Sequence, residues 1–206
     1  MLFTPLQKIV IASGNTGKLK EIRHLLQETG IEVIPQSYFD IPEAEEPYCT
    51  FIENALAKAR HASKLSGLPA LADDSGICVD ALQGAPGVHS ARYACEQATD
   101  AKSDEKNNQK LLSALSNEEN RNAHYYCVMV LVKYAADPQP IIAEGIWRGE
   151  ILTEPRGHGG FGYDPLFLDT ITDLTGAELS MDIKNRISHR GKALQHLLQK
   201  IKAVIS

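Results

Sequence analysis

The chain has 206 residues, with 21 Lys and Arg against 26 Asp and Glu, a net charge of −5, and 43% hydrophobic and 23% charged residues. That balance excludes a disordered chain, a collagen helix and a coiled coil, and a chain of this length can bury a full core as one domain spanning 1–206. The acidic balance argues against a protein held to nucleic acid by bulk charge, while leaving room for a local basic pocket that takes one anionic small molecule. In chain order, residues 8–12 (KIVIA) are a short apolar run bounded by turn signals, and so a buried strand. Residues 13–18 (SGNTGK) follow, and Leu19, Ile22, Leu25 and Leu26 then recur at helical spacing until Gly30 closes the helix. Residues 31–34 are a second strand, and 36–49 an acidic loop with Pro42 and Pro47. Thr50 and Glu53 form a capping box for a helix whose inward face is Ile52, Ala55, Leu56, Ala59 and Ala62, ending at Gly67.

A third strand is expected over 69–72, ending at Asp73-Asp74-Ser75-Gly76. Residues 83–98 are a loop, and 103–116 a polar helix with Leu111, Leu112 and Leu115 inward. Residues 122–135 are the clearest strand, with 141–147 its expected antiparallel neighbour. A glycine-rich loop covers 157–162, Thr175 and Glu178 form a further capping box, and the last helix starts near Ser188 with Ala193, Leu194, Leu197, Leu198, Ile201 and Ile205 inward. Early strands alternate with helices and later strands pair as a hairpin, which predicts an α/β fold with a mixed sheet. The longest apolar run, 127–132 (CVMVLV), is far short of the roughly 20 residues of a membrane span. The first residues, MLFTPLQKIVIAS, lack the basic stretch of a secretory signal, so a cytoplasmic protein with reduced thiols is expected. Cys49, Cys78, Cys95 and Cys127 contain no CxxC pair, which argues against zinc and predicts small buried hydrophobes.

Four segments carry more polar and glycine character than packing requires. Ser13, Gly14, Asn15, Thr16, Gly17 and Lys18 join a strand to a helix start, where backbone N–H groups and the helix dipole favour an anion and Lys18 adds a full charge. The spacing is not that of a Walker A loop, and an ordinary strand-to-helix turn would also read this way. Asp73-Asp74-Ser75-Gly76 places two carboxylates at a strand end, where open α/β sheets bind ligands. Adjacent carboxylates repel unless solvated or neutralised, and Mg²⁺ suits one or two carboxylates plus substrate phosphates. Glu43, Glu45 and Glu46 offer further oxygens, as would any acidic surface run. In 157–164 (GHGGFGYD) the glycines allow close backbone approach and Phe161 suits base stacking, the alternative being a flexible linker with one aromatic folded inward. In 184–190 (KNRISHR), Ser188 as N-cap leaves His189 and Arg190 in a first helical turn, where cations oppose the dipole unless a ligand compensates. The remaining histidines show no metal-binding spacing.

Taken in order, these segments resemble the inosine triphosphate pyrophosphatase family, whose bacterial members are dITP/XTP pyrophosphatases. The matching stretches are SGNTGKLKEI at 13–22, FIENALAKAR at 51–60, LADDSGICVDALQGAPGVHSARY at 71–93, GGFGYDPLF at 159–167 and ISHRGKAL at 187–194. The resemblance implies hydrolysis of ITP, dITP and XTP to the monophosphate and pyrophosphate, with Mg²⁺. It also implies a homodimer, and a two-lobed three-layer α/β fold in which an elongated mixed sheet is flanked by helices, with the active-site cleft between the lobes. It assigns the triphosphate to Ser13–Lys18 and Lys58, the general base and a metal ligand to Asp74, and a substrate contact to Ser75. Glu46 or Glu45 joins the metal site, and Phe161, Gly162, Tyr163, Asp164, Lys184, His189 and Arg190 hold the base and sugar side. No nucleic acid or membrane partner is implied. Two other readings carry different expectations: a pyrophosphatase for ordinary or modified pyrimidine nucleotides, separable by a substrate panel, and a nucleotide-sensing module without turnover, against which the paired acids argue.

Overall fold

The run KIVI forms β1 (Lys8–Ile11), three of whose four residues are buried, as a strand covered on both faces requires. A computed structural model describes residues 6–97 and 100–205, leaving out the side chains at 25, 28 and 203–205, so the expected inward positions of Leu25 and Ile205 lie outside the described residues. β1 pairs in parallel with β2 (Glu32–Pro35) and with β3 (Ala70–Val79), the latter in the register Val10↔Ala70 and Ile11↔Leu71. With β4 (Asn122–Val132), β5 (Ile141–Ile151), β6 (Phe167–Asp169) and β7 (Leu174–Thr175), the sheet runs β2-β1-β3-β4-β5-β6-β7. The β5–β6 and β6–β7 pairs are antiparallel, so the sheet is mixed.

The helices start where hydrogen-bonding caps stand. Asn15 Oδ1 accepts from the N–H groups of Gly17 (2.9 Å) and Lys18 (3.1 Å) at the head of α1 (Thr16–Leu26). Thr50 caps α2 (Phe51–Ser66), its hydroxyl also donating to Glu53 Oε2 at 2.5 Å, and Gly67 ends that helix at φ +70°. Ser103 caps α3 (Asp104–Ala114), and Ser180 caps α4 (Met181–Ile187). Ser188 then turns extended, at φ −70° and ψ 161°, before α5 (His189–Ile205) begins.

Several expected boundaries move. β3 does not stop at Ala72 but continues through Asp73–Gly76 to Val79. β4 ends at Val132 rather than 135, because buried Asp137 gathers the turn, accepting from the N–H groups of Lys133 (3.0 Å) and Gln139 (2.9 Å). β5 runs on to Ile151. Thr175 and Glu178 open no helix: Glu178 accepts from the Thr175 N–H at 2.8 Å and pairs with Arg156 at 3.0 Å, closing a turn ahead of α4. On α2 the buried stripe is Asn54, Ala55, Ala59, Ala62 and Ser63, while Ile52 is exposed. Of the cysteines only Cys127 is buried; Cys49 is exposed, and Cys78 and Cys95 are half-buried.

The chain divides into two compact units, the described parts of Met1–Asp74, Cys127–Gly145 and Arg190–Ser206, and of Ser75–Tyr126 and Ile146–His189. In the first, Ile9, Ile11, Leu71, Cys127, Met129 and Leu131 pack with Ile22 and Leu26 of α1 and Ala193, Leu194 and Leu197 of α5. In the second, Ile77, Val79, Tyr125, Trp147 and Phe167 pack with Leu111 and Leu115. No helix among the described residues is long and apolar enough to cross a membrane.

Candidate active site

In the first unit, strand register brings the phosphate-loop candidate to the paired acids. The Ala12 N–H donates to Leu71 O at 2.9 Å, so the chain leaves β1 at Ser13 two residues short of where β3 presents Asp73 and Asp74. Gly14, Asn15 and Thr16 are exposed there, while Lys18 is half-buried. Successive strand side chains point to opposite faces, so the two acids meet different surroundings. Asp73 shares the parity of Leu71 and faces the side of α1 and α5, where Lys18 Nζ lies 2.9 Å away and the Arg190 Nε 3.4 Å away. Glu21 pairs with the other end of the same guanidinium.

Asp74 faces α2 instead. Its Oδ1 accepts from Lys58 Nζ at 3.2 Å and its Oδ2 from Asn54 Nδ2 at 3.3 Å. Lys58 also reaches Glu46 Oε1 at 2.5 Å, so one ammonium spans two carboxylates. Asn54 and Lys58 stand one turn apart on one helix face, which is why both reach the same acid. Glu45 is exposed and makes no side-chain hydrogen bond among the described residues, whereas Glu43 lies against Gly14, where a Cβ would collide with its carboxylate.

The split in surroundings separates the two protonation equilibria. Burial alone would raise Asp73, but Lys18, Arg190 and Lys58 outweigh it and hold the carboxyl well below the usual carboxylate range. Asp74 is raised, because burial there outweighs Lys58 and Lys18, and Glu46 and Asp73 add like charge. Lys58 is raised despite its burial, because Asp74, Asp73 and Glu46 surround it. Asp73 is thus a fixed anion that anchors cations, while Asp74 holds a proton more readily than an ordinary aspartate. Cys127, beside this cluster, is pushed up to about 12 by burial and is an inert thiol.

The second unit holds the other predicted residues, and two of them, Phe161 and Lys184, meet a carboxylate of its own. Asp164, 3% exposed, accepts from Lys184 Nζ at 2.6 Å and from the Phe161 N–H at 2.8 Å. Lys184 Nζ sits 5.2 Å from the centre of the Phe161 ring, a cation–π contact. Gly160, at φ +73°, passes so close to Asp164 that a Cβ would meet its carboxylate. The Gly162 N–H donates to Asp104 Oδ2 at 2.7 Å, and Gly162 O accepts from Asn108 at 3.1 Å. Tyr163 is buried and gives its hydroxyl to Ser90 O at 2.8 Å. His189 stacks on Tyr125 at 4.6 Å between ring centres, with Trp147 also parallel to it at 6.4 Å. Ser75, next after Asp74, is half-buried on β3.

Three residues in these clusters carry no role of their own in the sequence reading. Glu21 looks like any exposed helical acid until Arg190, 169 residues away, is seen against it. Asp73 was visible only as half of an acidic pair. Asn54 had one signal, a polar residue beside an alanine stripe and four residues before Lys58. No group of three or more His, Cys, Asp or Glu side chains among the described residues is arranged to hold a metal by itself.

The sequence and the fold both have matches among known proteins. The Ham1 family pattern matches residues 9–200. A dITP/XTP pyrophosphatase of Nitrosomonas europaea is 61% identical over 94% of this chain and 94% of its own, and one of Ralstonia nicotianae is 58% identical over 96% and 98%. A HAM1 protein from Coxiella burnetii superposes with a TM-score of 0.85 at 48% identity, covering 96% of this chain and 98% of that one. The Staphylococcus aureus Ham1 protein gives a TM-score of 0.84 at 38% identity over 96% and 100%. With its paired acids, phosphate-loop candidate and glycine loop all inside the matched span, the chain belongs to the Ham1 family.

Proposed function

We propose that the chain hydrolyses deaminated purine nucleoside triphosphates, ITP, dITP and XTP, to the monophosphate and pyrophosphate, acting with Mg²⁺ as a cytoplasmic homodimer. The observation that carries this reading is Lys58 Nζ standing between Asp74 and Glu46 in the unit that also holds residues 13–18. Two carboxylates around one positive charge are a donor set that suits Mg²⁺, which completes its shell with water and phosphate oxygens rather than a protein cage. Asp74 and Glu46 would hold the ion, with Glu45 beside them on the same loop. When bound, Mg²⁺ supplies charge neutralisation at the phosphates. Ser13 and the exposed Gly14, Asn15 and Thr16, with Gly17, Lys18 and Lys58, bind the triphosphate. Asp74 orients the attacking water and takes its proton. The bond between the α- and β-phosphoryl groups breaks, and pyrophosphate leaves.

Ser75 contacts substrate beside Asp74. Phe161 stacks on the base, Gly162 approaches it through backbone, and Tyr163, Asp164 and Lys184 keep that loop in shape. His189 and Arg190 complete the substrate contacts from the start of α5. The relatives' printed names, dITP/XTP pyrophosphatase, support the substrate class. The test is product analysis with ITP and Mg²⁺. IMP and pyrophosphate as first products are expected, and IDP with single phosphate would refute the reading. Faster turnover of pyrimidine triphosphates on the same panel would refute the purine assignment.

A further inference from the structure

We infer that Asn54 is a positioning residue for the acidic centre: its side-chain amide ties the loop bearing Glu45 and Glu46 to Asp74. The inference rests on the metal site proposed above. Asn54 is 2% exposed on α2. Its Oδ1 accepts from the Tyr48 N–H at 3.1 Å, and its Nδ2 donates to Tyr48 O at 3.2 Å and to Asp74 Oδ2 at 3.3 Å. Tyr48 can only donate at N and accept at O, so the amide has one workable orientation, and its second Nδ2–H can then only point at Asp74.

Tyr48 lies two residues beyond Glu46, so one buried amide holds both ends of the arrangement. It clamps the backbone of the acidic loop and turns the Asp74 carboxylate so that Oδ1 faces Lys58. Each Asp74 oxygen keeps a second lone pair for a cation. Nothing else about α2 requires asparagine there, since an apolar side chain would continue the stripe of Ala55, Ala59 and Ala62. Groups that orient ligands in this way typically contribute about 10–100-fold to metal affinity.

Asn54→Leu keeps the size and branching of the side chain and removes all three hydrogen bonds; Asn54→Ala is the smaller second variant. Mn²⁺ binding to the nucleotide-free protein, read by electron paramagnetic resonance, should weaken about 10–100-fold in both. In turnover, kcat should fall while KM for ITP stays within about threefold, because Asn54 is buried and spends its amide on Tyr48 and Asp74. A merely structural asparagine would lower the melting temperature and leave Mn²⁺ affinity of the folded variant unchanged. That outcome, with Asp74→Asn weakened in parallel, would overturn the inference alone. If Asp74→Asn also bound Mn²⁺ normally, the metal reading would fall with it. A measurement on the unaltered protein stands apart from variant folding: the Tyr48 amide, on an exposed residue, should show slowed hydrogen exchange, and exchange at the unprotected rate would overturn the clamp.

Discussion

Asp73 and Asp74 are neighbours in sequence and opposites in chemistry, and the difference follows from strand alternation. Asp74→Asn removes the proposed base while keeping size, so turnover of ITP should fall by about 10²-fold or more. A variant with near-normal kcat would remove Asp74 from the reaction. Asp73→Asn takes the shared carboxylate away from Lys18 and Arg190 in a buried cluster, a change that typically costs about 3–5 kcal/mol. The pH dependence has a definite sign. Asp73 is depressed in the fold, so its contribution is fully present above its unfolded value of about 3.8 and is lost as pH falls through the depressed value. Urea unfolding should therefore show the gap between the native protein and Asp73→Asn steady from pH 7 to about 4 and shrinking below it. A gap that widened towards acid would mean Asp73 is not the anchored anion.

At the scale of elements, the glycine loop offers the sharpest comparison. Gly160 and Gly162 both sit at positive φ, +73° and +64°, but only Gly160 has the Asp164 carboxylate where its Cβ would go. Gly162→Ala should therefore cost about 1–2 kcal/mol of backbone strain. Gly160→Ala should cost more and also raise KM for ITP, since moving Asp164 releases both Lys184 and the Phe161 N–H. Equal losses of stability with unchanged KM in both would detach that carboxylate from substrate binding. Most elements were legible because their signals are local: Thr50 with Glu53, Gly67 at the end of α2, and the apolar periodicity of α5. β3 was cut short at Ala72 because Asp73 and Asp74 look like solvent-facing turn residues. Their burial is compensated by Lys18, Lys58 and Arg190, the last 117 residues away, and no local pattern records that pairing. Thr175 and Glu178 misled for the converse reason: Glu178 takes the Thr175 N–H as a capping glutamate would, but the Thr175 hydroxyl donates to Arg156 O at 2.9 Å instead of capping a helix start. The segments carrying the candidate site were all visible as departures from packing economy, but which acid faces which cation depended on register and parity.

At the scale of the whole molecule, the chain passes between its two units four times, after Asp74, Tyr126, Gly145 and His189. Three of those passages lie within β3, β4 and β5, so neither unit can lose its strands without unzipping strands that continue into the other. The fourth falls at the head of α5, between His189, stacked on Tyr125, and Arg190, paired with Asp73. Two separate hydrophobic cores therefore hang on shared strands, which predicts one cooperative transition rather than two. Calorimetry should give a single peak whose calorimetric and van't Hoff enthalpies agree. Leu71→Ala in one core and Phe167→Ala in the other are both fully buried truncations, expected to cost about 2–5 and 3–5 kcal/mol. Each should lower the same peak, by about 2–4 °C per kcal/mol for a chain of this size, measured at one protein concentration. Were Phe167→Ala instead to split off a separate low-temperature transition, the shared strands would not couple the cores, and each unit would have to be treated as folding on its own.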